Sequence, residues 1–459
     1  MRTTVTSART ERRLGMLDVL RLFAAVAVVA FHYTARHSPG WDGAAPEELA
    51  GVGQWASYGR MGVPLFFVIS GFVLLMSAWG RDVRGFVASR VGRLFPAYWV
   101  AVALSLVLVL FIWPENPAFL GHEISKAGAL LNFTMVQGAF GVPDVDGPYW
   151  TLWYEARFYL LIAVFMHLGI TRNRVLAVCA LWPVVGALAS ANGAGLVSTL
   201  LMPDYAPFFA GGMLLYLIHR DGHDLGTWLL VGLQVTIAVN FTTGVYPGIL
   251  SAETPWVPST TVIAAICVAC FGLVALVTLT RVASRSAGWM TVAGALTYPV
   301  YLVHENLGWW VIHLVRDRVG PWGAVALATV VAFAAATLLH HLVEKPFGPR
   351  LRKATLRMLS QSEGGRASDD GRDGAHRAGR GRAADRRTPG IPVPTDVRSA
   401  ADDRPSAVRH PVDTARHTER RPTPRADRDG SGLLGPSTVA LPEERPEPRG
   451  ALLTGQQQN

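Results

Sequence analysis

The sequence predicts an all-α fold, a polytopic bundle of about ten membrane-spanning helices followed by a disordered tail. Three observations carry this expectation. Half of the 459 residues are hydrophobic and the mean hydropathy is +0.28, an average that soluble domains seldom reach. The apolar residues gather into runs of near-bilayer length between residues 16 and 342. From Gln361 to Asn459 there is no Phe, Trp, Tyr or Cys, and 17 Arg stand against 15 Asp plus Glu. A polymer of near-balanced charge and no aromatics cannot bury a core. The expected organisation is a membrane body over 14–350 and an Arg/Asp/Pro/Gly-rich tail over 351–459.

The expected spans are 16–35, 61–79, 95–113, 148–168, 174–191, 205–219, 226–243, 259–280, 292–315 and 321–342. Arg9, Arg12 and Arg13 precede the first span as they would a signal peptide. Asp18 and Arg21 interrupt its start, however, and no small-x-small cleavage site follows, which predicts a retained helix. Pro207 and Gly211-Gly212 break the sixth span and make it the weakest of the ten. Cys179, Cys267 and Cys270 all lie in apolar stretches, so the C-x-x-C formed by the last two reads as packing rather than redox or metal chemistry.

Short-loop cations set the orientation. Seventeen Lys and Arg fall on the side of the termini against five, Arg36, Arg60, Lys126, Arg316 and Arg318, on the other. That split predicts a multi-pass plasma-membrane protein with both termini cytoplasmic and the long loop 114–147 outside. The net charge of +9 is spread through these loops and a mixed-sign tail, so the lipid bilayer is the expected partner and nucleic acid is not.

Ionisable groups inside a membrane are costly and become functional suspects. Arg21 and His32 are eleven residues apart, which places both on one helix face with a rise of roughly 16 Å between them. Asp18 shares that face, one turn before Arg21. Glu155, seven residues into the fourth span, is expected at the depth of His32, where an imidazole beside a carboxylate suits general-base chemistry or a proton relay. Arg90 and Arg93 end the loop after the second span, and their guanidinium forks suit phosphates. Tyr301 and His304 share a face of the ninth span. The segment His340-His341-x-x-Glu344 offers too few ligands on one helix to predict a metal, and none is expected.

Five stretches, in order, resemble the acyltransferase-3 family of integral membrane acyltransferases. They are Leu17-Asp18-Val19-Leu20-Arg21 through His32, Gly62-Val63-Pro64-Leu65-Phe66-Phe67-Val68-Ile69-Ser70-Gly71-Phe72, Arg90-x-x-Arg93-Leu94-Phe95-Pro96, Trp150-Thr151-Leu152-Trp153-Tyr154-Glu155, and Tyr298-Pro299-Val300-Tyr301-Leu302-Val303-His304 with Val343-Glu344-Lys345-Pro346-Phe347. The resemblance implies ten membrane helices and transfer of an acyl group, usually acetyl from acetyl-CoA, to a hydroxyl of a glycan or a secondary metabolite. It also marks Arg21 and His32 as essential. Ala156 and Arg157 replace a second acid and a Gln that the family often carries, and no fused esterase-like domain is expected in the tail.

These readings converge on an O-acyltransferase using acyl-CoA as donor substrate, with no permanently bound cofactor. His32 is the expected base, oriented by Glu155. Arg90 and Arg93 hold CoA phosphates, Asp18 and Arg21 position the thioester, and Tyr301 and His304 line the cavity. Ser70, before Gly71, is an acyl-enzyme candidate, although a small residue that lets helices approach is the commoner use. The alternatives are a proton-coupled transporter or flippase built on the His32/Glu155 pair, and a membrane anchor whose tail recruits partners.

Overall fold

The computed structural model describes residues 14–43, 47–115 and 124–361, and no strand occurs among them. The disordered segment expected beyond residue 361 and the cations Arg2, Arg9, Arg12 and Arg13 lie outside the described residues. We label the long helices α1 (Gly15–Thr34), α2 (Gly62–Ala78), α3 (Val83–Val107), α4 (Trp150–Leu168), α5 (Arg172–Ala191), α6 (Ala206–Asp221), α7 (Leu225–Glu253), α8 (Thr260–Leu279) and α9 (Gly288–Leu339).

Eight described helical segments are long and apolar enough to cross a membrane. Helix α4 has the length but is diluted by Glu155, Arg157 and a run of Trp and Tyr. Gly320 divides α9 into two arms, because its φ of 70° suits glycine and Pro321 follows it. Counting α4 and both arms recovers the ten spans. Large apolar side chains such as Phe23, Phe111, Leu188, Leu229 and Val330 point outward, as a lipid-facing surface requires. Side-chain caps start several helices: Asp82 accepts from Gly85 N at 2.8 Å and Asp224 from Thr227 N at 3.0 Å.

The sixth span, weakest in the sequence, is the most enclosed. Every residue of α6 from Ala206 to Ile218 is buried. Pro207 sits in the first turn, where its missing N–H costs nothing. Gly212 lies against the Val68 carbonyl and Gly71 against that of Phe209, so α2 and α6 meet backbone to backbone. The glycines and proline are packing devices here, not breaks. All three cysteines are buried and free among apolar neighbours.

Helix α1 runs parallel to the first arm of α9. Gly15 meets Met290, Asp18 meets Gly294 and Tyr33 meets Gly308, a near-constant offset that holds α1 in register along its length. After α9 a π-helical turn, His340–Glu344, leads into a helix that continues to Gln361. Helical structure therefore runs past residue 350, where the sequence reading begins the tail. Contact with α3 is the reason: a Cβ on Gly92 would lie 2.7 Å from both the Gly348 carbonyl oxygen and Arg352 Cβ. The start of α1 and this last helix line one common cavity and so share a face of the bundle, called the terminal face below.

Candidate active site

Three cavities follow α1 from one end to the other. A vestibule of about 840 Å³ opens at the terminal face, lined by Asp18, Arg21 and Arg93 and by the last helix. It adjoins a narrow chamber of about 100 Å³ lined by Arg21, Arg90, Arg93, Glu155, Ser70 and Tyr301, among others. Arg21, Arg93 and Tyr298 border both spaces. At the far end of α1 an outer cavity of about 230 Å³ is lined by His32, Arg36, Arg60, Gly147, Trp150, Tyr205, Glu253 and Glu305.

The outer cavity holds a buried histidine–carboxylate pair. His32 Nδ1 lies 2.8 Å from Glu305 Oε2, and Arg36 Nη1 lies 2.8 Å from Glu305 Oε1. Trp309 Nε1 donates to the His32 carbonyl at 3.0 Å, and the Tyr33 hydroxyl donates to the His304 carbonyl at 2.6 Å, locking the end of α1 to the first arm of α9. The His304 ring stacks on His32 with centroids 5.0 Å apart, and its Nδ1 meets the Tyr301 carbonyl at 2.9 Å. With Nδ1 facing the carboxylate at 2.8 Å, Nε2 of His32 is the nitrogen turned away from it and available to take a proton.

His32, His304 and Glu305 each bring one ligand atom within 4.8 Å of the others, a spacing that could enclose a metal ion. The Arg36 guanidinium already neutralises Glu305, and a dication there would sit against a fixed positive charge. The acid–base reading fits that arrangement better.

The expected pairing of His32 with Glu155 is corrected by this geometry. Glu155 accepts from the Tyr159 hydroxyl at 2.5 Å and lines the chamber, whereas His32 lines the outer cavity. The cause is where α4 begins. Its lead-in turn, Gly147–Tyr149, is sunk in the bundle: Tyr149 OH donates to the Leu302 carbonyl at 3.1 Å, and Gly147 abuts Glu305. Glu155 lies eight residues farther along, about 12 Å deeper, and so comes to the level of Arg21. In the same approach loop burial, then Glu305, push the Asp146 carboxyl well above the usual carboxylate range, and Ser105 donates to it at 2.8 Å.

The remaining candidates divide between the spaces. Asp18 pairs with Arg21 at 3.5 Å, as one helical turn predicts. Arg93 reaches the vestibule, but Arg90 does not: it lines the chamber, with its guanidinium 5.5 Å from the centroid of the Phe86 ring. Ser70 lines the chamber beside the α2–α6 contact. Tyr301 stands between chamber and outer cavity, its hydroxyl 2.7 Å from Thr151 Oγ1 and its ring beside His304. Arg157 lines neither space, because its guanidinium stacks 4.0 Å from the Tyr154 ring centroid and donates to the Thr199 carbonyl.

Glu305, Arg36, Arg60 and Glu253 were missed from the sequence. Glu305 left a signal, since a carboxylate inside an apolar span is a suspect by default. Arg36, Arg60 and Glu253 gave none, because loop charges are common and only folding joins Arg60 to Glu253 at 2.5 Å.

Residues 15–341 match the family described as an acyltransferase domain. The chain is 28% identical to YrhL of Bacillus subtilis over 196 residues, covering 39% of this chain and 28% of that one. It is 26% identical to the peptidoglycan O-acetyltransferase OatA of Listeria monocytogenes over 175 residues, 35% of this chain and 25% of the relative. The acyltransferase MdmB of Streptomyces mycarofaciens is 28% identical over 369 residues, 73% of this chain and 91% of MdmB. The match thus spans only about a quarter of YrhL and OatA but nearly all of MdmB. No solved structure matches.

Proposed function

We propose, from the premise that this chain belongs to the acyltransferase family and is a multi-pass membrane O-acyltransferase, that it moves an acyl group from cytoplasmic acyl-CoA to a hydroxyl at the outer cavity. The acetyl group is the expected cargo, and a glycan or a secondary metabolite is the expected acceptor. The observation that carries this reading is the series of spaces along α1, with cations at one end and a histidine–carboxylate pair at the other.

In this reading the terminal face is cytoplasmic. The CoA nucleotide stays at the vestibule, because taking its charges into the bundle would desolvate them at high cost. The pantetheine arm threads through the chamber past Arg21, Arg90 and Glu155 towards Tyr301. The acceptor hydroxyl enters the outer cavity and gives its proton to His32 Nε2 as its oxygen bonds to the acyl carbon. The C–S bond then breaks, and the CoA thiolate leaves and takes up the proton that His32 gives back, which restores the neutral imidazole. Glu305, fixed by Arg36, holds the ring orientation and stabilises the imidazolium that forms.

The similarity to OatA, named as a peptidoglycan O-acetyltransferase, favours a saccharide acceptor, with a secondary metabolite as the alternative. Trp150 at the cavity wall, with Arg60 5.9 Å from its ring centroid, would stack on either.

Sealed vesicles of known orientation test the direction of transfer. Acyl-CoA should be consumed only when supplied to the face bearing the termini, and the acylated acceptor should appear on the other. Consumption from the opposite face would overturn the proposed path.

A further inference from the structure

The vestibule is more basic than the loops of the spans explain. Its acids are engaged, Asp18 with Arg21 at 3.5 Å and Glu344 with His340 at 2.7 Å. Its remaining cations are Arg93, Lys345, Arg352 and Lys353, and among the described residues none of these four makes an ion pair. Three of them come from the helix that follows the last span. That helix is held against α3 at Gly92 and Gly348, which brings Arg352 to the backbone one residue before Arg93. A volume of about 840 Å³ lies within the range of small-molecule sites.

We infer that Arg352 and Lys353 seat the 3′-phosphate of the CoA nucleotide, while Arg93 and Lys345 take its diphosphate closer to the membrane. The inference rests on the acyl-CoA reading above and adds the residues that recognise the nucleotide. The order follows from the chain. Arg352 lies seven residues beyond Lys345, about 10 Å farther along the helix that follows the last span, and Arg93, unlike Arg352 and Lys353, also borders the chamber. In CoA the 3′-phosphate likewise lies beyond the diphosphate as seen from the thiol. A phosphate monoester carries more charge than a bridging phosphate, and an Arg fork beside a Lys matches it by charge-assisted hydrogen bonds. The vestibule adjoins the chamber through Arg21, Arg93 and Tyr298, so an occupant held here can send a thin arm inward. A phospholipid headgroup would use the same cations but carries two apolar acyl chains in place of one amide-bearing arm.

Calorimetric titration of the detergent-purified full chain with CoA and with dephospho-CoA, which lacks only the 3′-phosphate, tests this without an acceptor. The wild type should bind CoA about tenfold tighter or more. Arg352→Gln/Lys353→Gln should lose that margin and keep its affinity for dephospho-CoA. Arg352→Lys should recover part of it, and helical circular dichroism and elution volume should stay unchanged. Equal wild-type affinity for the two ligands would overturn the inference and leave the donor reading standing. So would a double variant that weakens both ligands alike. Binding of neither ligand by the wild type would remove the donor reading itself. In nanodiscs, a preference that vanishes when phosphatidylglycerol is added would assign the cations to lipid and also overturn the inference.

Discussion

Two histidine–glutamate pairs sit at opposite ends of this bundle, and the chain makes them in different ways. His340 and Glu344 are four residues apart on one π-helical turn, 2.7 Å from each other at the vestibule. His32 and Glu305 come from α1 and α9 and meet at 2.8 Å in the outer cavity. The first pair is local and partly exposed. The second is buried, with Arg36 on the carboxylate, Trp309 on the His32 backbone carbonyl and His304 on the ring face. A local pair at a solvated mouth can rotate and rehydrate at little cost. A buried, interlocked one is preorganised, and preorganisation is what proton transfer in a catalytic step requires.

On that contrast the largest loss belongs to His32. His32→Ala should leave expression and membrane insertion intact and lower acyl transfer by about 10²–10⁴-fold, the usual cost of a lost general base. Turnover at the wild-type rate would remove His32 from the mechanism. Glu305→Gln should follow, losing about 10²-fold in kcat with little change in donor KM, because an amide keeps the contact but cannot stabilise an imidazolium. In the double variant the two losses should not add, since both residues act in one step. Additive losses would mean that Glu305 works apart from His32.

Glu155→Gln separates the chamber from the outer cavity. Glu155 lies with Arg21 and Arg90 along the proposed donor path, so its loss should raise KM for acyl-CoA by about three- to tenfold and reduce kcat less than Glu305→Gln does. A kcat loss equal to that of Glu305→Gln, with donor KM unchanged, would restore Glu155 as the partner of the base.

The same contrast explains what the sequence disclosed. Local relations were legible: the Asp18–Arg21 turn follows from helical periodicity, and the apolar runs and the packing role of the cysteines from hydropathy. Relations that depend on where a helix begins in depth were not. Counting from the start of an ideal span puts Glu155 beside His32, yet the buried turn at Gly147–Tyr149 starts α4 well inside the bundle. Arg90 and Arg93 read as one phosphate site, but three residues on a helix differ by 60° about its axis, enough to confine Arg90 to the chamber while Arg93 reaches the vestibule as well. Glu305 could have been found, since His304-Glu305-Asn306 is a polar run inside an apolar span.

The smallest effect is expected at the local pair. His340→Gln removes the 2.7 Å contact to Glu344 in the vestibule. Glu344 would then be free to approach Arg93, Lys345 or solvent, and the cations across the cavity would feel a carboxylate no longer held by the imidazole. That is a change in the electrostatics of a wet mouth, screened within about 8–10 Å at ordinary salt. Acyl transfer should therefore keep kcat within about threefold of wild type, and any change should appear in donor KM and shrink as salt is raised. A salt-independent fall in kcat comparable to that of Glu305→Gln would show that both pairs serve the chemical step and would end the distinction between them.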